Sequence, residues 1–515
     1  MHGSELIRDI RLAGLLHLIA FAALVPISFG LAPVSPREIE QPRELDLLQR
    51  FSAAMPLPAD ARDALARYVS GDSPLTEPAI RLLVYFGPLL LATLAAVYVA
   101  WRIARAPDRI DCSAIRNLTG FACGAALISV FALPAFTQDF WLSVIWGRMI
   151  GAGANPYYDA FTTSAMAGLP VEDFGDRMTY GPAWGLVAAF LAALGGSSVW
   201  LTFLLFKLTL AGCWIGTLFL LRREARTRSP LHEALTVVFF GWLPVSAHLT
   251  IGEGHNDIVM AFFMVFWLFC ASRPLRWSGW AMPTLFVSAL VKYVTAPLAA
   301  LELLIAWRQR RLTDRRYLLR AGVSILAAAG LMLLFARDTH VLDATRQMQN
   351  WVFWTPGVAL ASLARMAGVP LTVPIATAVF AGLGTGLLLY YLAALFRNPD
   401  AKHLARASLA VMALILFVVV GHVWPWFVLW VLPLAALIWE TRLAAFILAF
   451  AVAAPLLSVD WLIESAPRLG LITYLTAVVL MVAIIRWTGR FSTVAPAAPS
   501  DRRVAAPIAA PHPSS

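Results

Sequence analysis

Long apolar stretches, each ended by a few polar residues, recur from residue 10 to residue 487 of a 515-residue chain. A helix rises about 1.5 Å per residue and a hydrocarbon layer is about 30 Å thick, so stretches near twenty residues predict membrane-crossing helices. They fall at 10–31, 80–104, 113–135, 198–221, 231–249, 256–272, 277–291, 293–307, 318–336, 371–396, 405–421, 424–438, 442–458 and 468–487. The expected fold class is therefore all-α, a polytopic transmembrane helical bundle of about 14 helices.

The polar joints sort by charge. Alternate joints hold Arg102, Arg105 and Arg109, then Arg222, Arg223, Arg226 and Arg228, then Arg273 and Arg276, then Arg308 to Arg316, then Arg397, Lys402 and Arg406. The positive-inside rule makes that side cytoplasmic. The two long loops, 32–79 and 136–197, then lie outside, which is where chemistry is expected. Pro182 to Ala193 is too short to cross and would break the alternation, so it reads as a re-entrant or interfacial helix on the outer side. The pairs 277–291 with 293–307, and 405–421 with 424–438, read as short hairpins with a cavity above their tips. Four regions follow: an N-terminal two-helix extension with its outer loop (1–112), a membrane core (113–440), C-terminal membrane helices (441–490) and a disordered cytoplasmic tail (491–515).

Composition agrees: 60% of residues are hydrophobic and 14% charged, against roughly 25% charged in soluble domains. The net charge of +10 sits in the inner joints, as membrane orientation requires, so nucleic acid is not an expected partner. The four cysteines have neither disulfide nor zinc-ligand spacing. The first apolar run lacks a cleavage site and is expected to be retained, not removed as a signal peptide.

Against this background a few polar residues stand out. Asp139 follows a predicted span, beside Phe140 and Trp141; shielded there, its carboxyl is expected to have a raised pKa suited to a general base, or else to be a hydrated boundary acid. Arg148, Asn155 and Tyr157 follow in the same loop, and Tyr180-Gly181-Pro182 opens the short helix, whose free amides suit an anion. Glu253, His255, Asn256 and Asp257 lie between two apolar runs, which is costly unless they line water or a ligand, or cap the next helix. A metal site needs more ligands than His255 and Asp257 supply locally, so no cofactor is expected and a divalent metal stays open but unsupported. Lys207 sits within a span and Lys292 at a hairpin tip; both are candidate phosphate ligands, with snorkelling the alternative. His422 and Trp424 mark the second tip, and Trp424, like Trp351 and Trp354, fits either an interfacial belt or a sugar-stacking surface.

Taken in order, Asp139, Gly147-Arg148, Gly153-Ala154-Asn155-Pro156-Tyr157, Tyr180-Gly181-Pro182, Gly254-His255-Asn256-Asp257, Ala289-Leu290-Val291-Lys292-Tyr293 and Trp424-Pro425-Trp426-Phe427 resemble the GT-C superfamily. The likeness is nearest to bacterial polyprenyl-phosphate-mannose-dependent mannosyltransferases and covers roughly 113–440, which would be the catalytic core with GT-C-like outer loops. The resemblance implies an inverting hexosyl transfer, most naturally of mannose, from a polyprenyl-phosphate donor to a lipid or glycan acceptor. It implies a multi-pass protein of the cytoplasmic membrane, in contact with membrane lipids, whose site faces the exterior. Asp139 would deprotonate the acceptor. The chain departs from the family pattern by its two leading helices and the long loop between them. A transporter or lipid-linked-sugar flippase is the alternative, but no internal repeat supports it.

Overall fold

The computed structural model describes residues 3–31, 78–135, 137–167, 169, 177–273, 275–336 and 355–455. These form helices α1 (Gly3–Leu31), α2 (Pro78–Arg105), α3 (Cys112–Ser129), α4 (Asp139–Gly151), α5 (Pro182–Gly195), α6 (Val199–Arg226), α7 (Pro230–Gly241) and α8 (Asp257–Ala271). There follow α9 (Ala281–Val291), α10 (Leu298–Arg308), α11 (Arg315–Phe335), α12 (Pro356–Met366), α13 (Val373–Arg397), α14 (Ala401–Leu414), α15 (Leu432–Leu437) and α16 (Arg442–Ala453). Among the described residues there is no strand. The loop 32–77, Trp351 and Trp354, the span expected at 468–487 and the tail lie outside them.

Among the described residues, six helical stretches are long and apolar enough to cross a membrane: Glu5–Ser28, Val84–Arg105, Val199–Arg226, Arg315–Phe335, Val373–Arg397 and Ala401–Val419. A seventh counts only if Pro230–Gly241 and Pro244–Gly252, bent by 60°, form one span. The remaining expected spans that are described fall on shorter helices. Prolines start many of the pieces: α2, α5, α7, α12 and Pro244–Ala247 all begin on one, where the missing N–H costs nothing.

The structure revises three expectations locally. The segment after Asp139, expected as loop, is a buried helix, α4, that packs along α5. The span expected at 231–249 is broken at Trp242-Leu243 and ends in a π turn, His248–Gly252, after which the chain leaves the helix. The hairpin arm expected at 424–438 is a 3-10 turn, Pro425–Trp430, followed by α15, all buried. A second π turn, Ile415–Val419, precedes it.

These breaks gather at one end of the bundle. Lys207 lies near the start of α6, and the arginines at that helix's other end, Arg223 and Arg226, are about 24 to 28 Å further along at 1.5 Å per residue. The site and the basic cluster are thus about a hydrocarbon thickness apart.

Candidate active site

Two carboxylates each open a helix, Asp139 in α4 and Asp257 in α8, where the free amides favour negative charge. Asp139 Oδ2 accepts a hydrogen bond of 2.9 Å from the Tyr180 hydroxyl. His255 Nδ1 lies 3.3 Å from the same oxygen, at ion-pair distance but without hydrogen-bond alignment. Burial pushes this carboxyl up, but His255, the Tyr180 hydroxyl and the Lys292 charge outweigh it and hold it below its ordinary value. The expected raised pKa is thereby overturned: sequence showed the apolar neighbours but not the donors facing them.

Tyr180 is brought there by a close approach. Its neighbour Gly181 lies against the Leu290 carbonyl, where any Cβ would clash, and the Gly181 amide donates to Val291 O at 3.0 Å. Burial, then the charges of Asp139 and Asp257, push the Tyr180 phenol well above its usual range, so it remains a donor.

Asp257 has different company. Its Oδ1 accepts from Lys292 Nζ at 2.7 Å and from the Trp430 indole. The carboxylate is fully buried and the Lys292 side chain 11% exposed, so the lysine does not snorkel. Its ammonium lies 5.2 Å from the Tyr180 ring centroid, 4.7 Å from that of Phe427 and 5.1 Å from that of Trp430, a cation held over aromatic faces. Neither Asn256 nor Asp257 caps α8 through its side chain, so the capping alternative fails. Asn256 is 2% exposed, and among the described residues neither its side-chain oxygen nor its side-chain nitrogen has a hydrogen-bond partner.

Aromatic rings close the remaining side. His255 stacks on Trp426 with centroids 3.9 Å apart, and Trp426 on Trp424 at 5.2 Å. His422 is buried with its ring 5.6 Å from Phe427. Trp424 is partly exposed and stacks on Trp426.

Four candidates are engaged elsewhere. Arg148 donates to Ala165 O and Ala167 O at 3.1 and 2.8 Å. Asn155 donates to Phe335 O at 2.8 Å and accepts from the Tyr157 amide. The Tyr157 hydroxyl donates to Tyr180 O at 2.6 Å, which places it behind Tyr180. Lys207 is fully buried and donates to Ile251 O, at 2.6 Å, and to Gly252 O. Sequence reasoning missed Trp430 altogether; the only available signal was its place in the tryptophan-rich run from Trp424.

Among the described residues no three or more His, Cys, Asp or Glu side chains gather as a metal site would need. Residues 62–309 match the family model described as alpha-(1->6)-mannopyranosyltransferase, N-terminal domain. The match bears out the likeness to mannosyltransferases read from the motifs and supports mannosyl transfer. It spans both carboxylates and Lys292 but not His422 or the tryptophans that follow. No curated protein and no solved structure matches the chain.

Proposed function

From a chain whose segment carrying both carboxylates resembles a mannosyltransferase domain, we propose an inverting transfer of mannose from a polyprenyl-phosphate carrier to a lipid or glycan acceptor. The observation that carries this reading is Asp139: both its partners engage Oδ2, which leaves Oδ1 for an acceptor hydroxyl.

The chemistry follows from the two kinds of carboxylate. An ionised Asp139 takes the proton of the acceptor hydroxyl as that oxygen attacks the anomeric carbon. The bond from that carbon to the carrier phosphate breaks on the opposite face, and its electron pair leaves with the phosphate, so configuration inverts, as in single-displacement glycoside chemistry. Lys292, with N–H donors beyond the one given to Asp257, meets the phosphate as its charge grows. Asp257 and Trp430 hold that ammonium. His255 and Tyr180 orient the base, and Trp424, His422 and Asn256 line the sugar's approach. Arg148, Asn155 and Tyr157 shape the loop under Tyr180. No step is routed through a metal.

In this reading the shorter helices join the long ones in a polytopic bundle with GT-C-like outer loops. The arginine ends lie in the cytoplasm and the site faces the exterior of the cytoplasmic membrane. The carrier's isoprenoid tail accounts for a site built among membrane helices.

The test is to incubate membranes containing the protein with labelled polyprenyl-phosphate mannose and a lipid or glycan acceptor fraction. A new mannosyl linkage with inverted configuration is expected. Movement of the intact lipid-linked sugar across the membrane without a new glycosidic bond would replace this reading with a flippase.

A further inference from the structure

A buried ammonium is costly to keep in a membrane protein unless it has defined work. Lys207 is fully buried, and its nitrogen faces a particular defect. The chain leaves the π turn at Gly252, where Thr250 O takes the amides of both Gly254 and His255. The carbonyls of Ile251 and Gly252 take the lysine ammonium instead. The same ammonium lies 5.3 Å from the ring centroid of Phe140, the second residue of α4.

The loop is held at two further points, one on the chain just before α4 and one on α4 itself. Glu253, fully buried, accepts from the Ala135 amide at 2.8 Å, four residues before Asp139. Gly254 has φ +83° and lies so close to the Phe140 ring that a Cβ would clash, so the backbone itself rests on the first turn of α4. The residue after these three contacts is His255, 3.3 Å from Asp139.

We infer that Lys207 and Glu253 are positioning residues, two buried opposite charges that dock the 251–257 loop on the start of α4 and so set His255 against Asp139. Neither touches substrate. Lys207 neutralises two carbonyls that the helix break strands, and Glu253 captures an amide from the strand of chain that delivers Asp139. This inference rests on the proposed transfer for its kinetic consequence but not for its structural one.

The experiment uses the full-length purified protein and two readouts. Lys207→Met is expected to lower kcat for mannosyl transfer by about 100-fold, as a misplacement near 1 Å does, with the donor KM changed less than about threefold. Lys207→Met combined with His255→Ala should be no slower than the worse single variant, because the lysine acts through the histidine. Independently of activity, hydrogen exchange of the amides in 251–257 should quicken in Lys207→Met while that of α13 is unchanged. Unaltered exchange in the loop, or additive losses in the double variant, would overturn the positioning role even if transfer is confirmed. Quickened exchange in a protein that transfers no mannose would leave the docking intact and remove the proposed reaction. If Lys207→Met does not fold, Glu253→Gln decides by the same two measurements, with the exchange of 134–139 added.

Discussion

Asp139 and Asp257 begin helices in the same way, yet one is half-buried beside a histidine and a tyrosine while the other is sealed against a lysine and an indole. The helix start supplies both with the same favourable amide field. What differs is the partner. Donors that leave one oxygen of Asp139 open make a carboxylate able to accept a proton. A lysine bound to a fully buried Asp257 makes that acid a fixed counter-ion, which in the proposed transfer leaves the cation to meet the phosphate. Residue type and local sequence position therefore do not assign the role of a carboxylate here; what faces it does.

The sharpest way to break this distinction is to neutralise each acid in turn. Asp139→Asn should cut turnover by about 10²- to 10⁴-fold with donor binding retained, the usual contribution of a general base, as single-turnover kinetics would measure. Asp257→Asn should act differently, raising the donor KM and lowering thermal stability, because it strands a buried ammonium at a cost of about 3–5 kcal/mol. Equal kinetic signatures in the two variants would mean that the contrast in surroundings carries no functional meaning.

A smaller effect separates base from base-holder. Tyr180→Phe removes one hydrogen bond to a charged group and should slow transfer by about 10-fold. It should also move the acid limb of the pH–rate profile upward. The sign follows from the environment: the hydroxyl favours the ionised carboxyl, so its loss lets burial raise the pKa. The parent protein should hold its rate on acidification until pH falls below the ordinary carboxylate value of 3.8. A parent acid limb near neutrality would show that another group titrates.

The smallest expected change is with chelator. Transfer in excess EDTA should stay within about twofold of the untreated rate, since neither carboxylate needs a cation to carry out its assigned part. Strong inhibition restored by a divalent ion would recast Asp139 as a ligand.

Much of this centre was legible because polar residues between apolar runs are expensive and therefore conspicuous. Asp139, His255, Asp257 and Lys292 stood out on that ground, Tyr180 only as part of the Tyr180-Gly181-Pro182 turn that opens the short helix, and all converge. Their partners were not legible. Trp430 reaches Asp257 across 173 residues and Asn155 reaches Phe335 across 180, separations at which one chain's pattern says nothing about contact. The hydropathy pattern likewise marked where apolar segments lie, but it did not show the 60° break after Gly241 or that α4 is a helix. Breaks of that kind depend on whether neighbours such as Lys207 can satisfy the freed carbonyls, which is a property of the assembled bundle.

The π turn at His248–Gly252 also constrains how this protein can vary by descent. Residues in an α-helix follow one another by about 100° around the axis, and a π turn accommodates a wider circuit. Such a turn is a helical circuit holding one residue more than an ordinary α turn, and the surplus is absorbed on the spot without turning the chain beyond it. Losing one residue there would restore an ordinary turn and leave the loop that carries His255 facing as before. The loop after Gly252 has no such reserve, so a residue lost from it would draw His255 away from Asp139, and a shortened relative is expected to carry its gap in the turn and not in the loop.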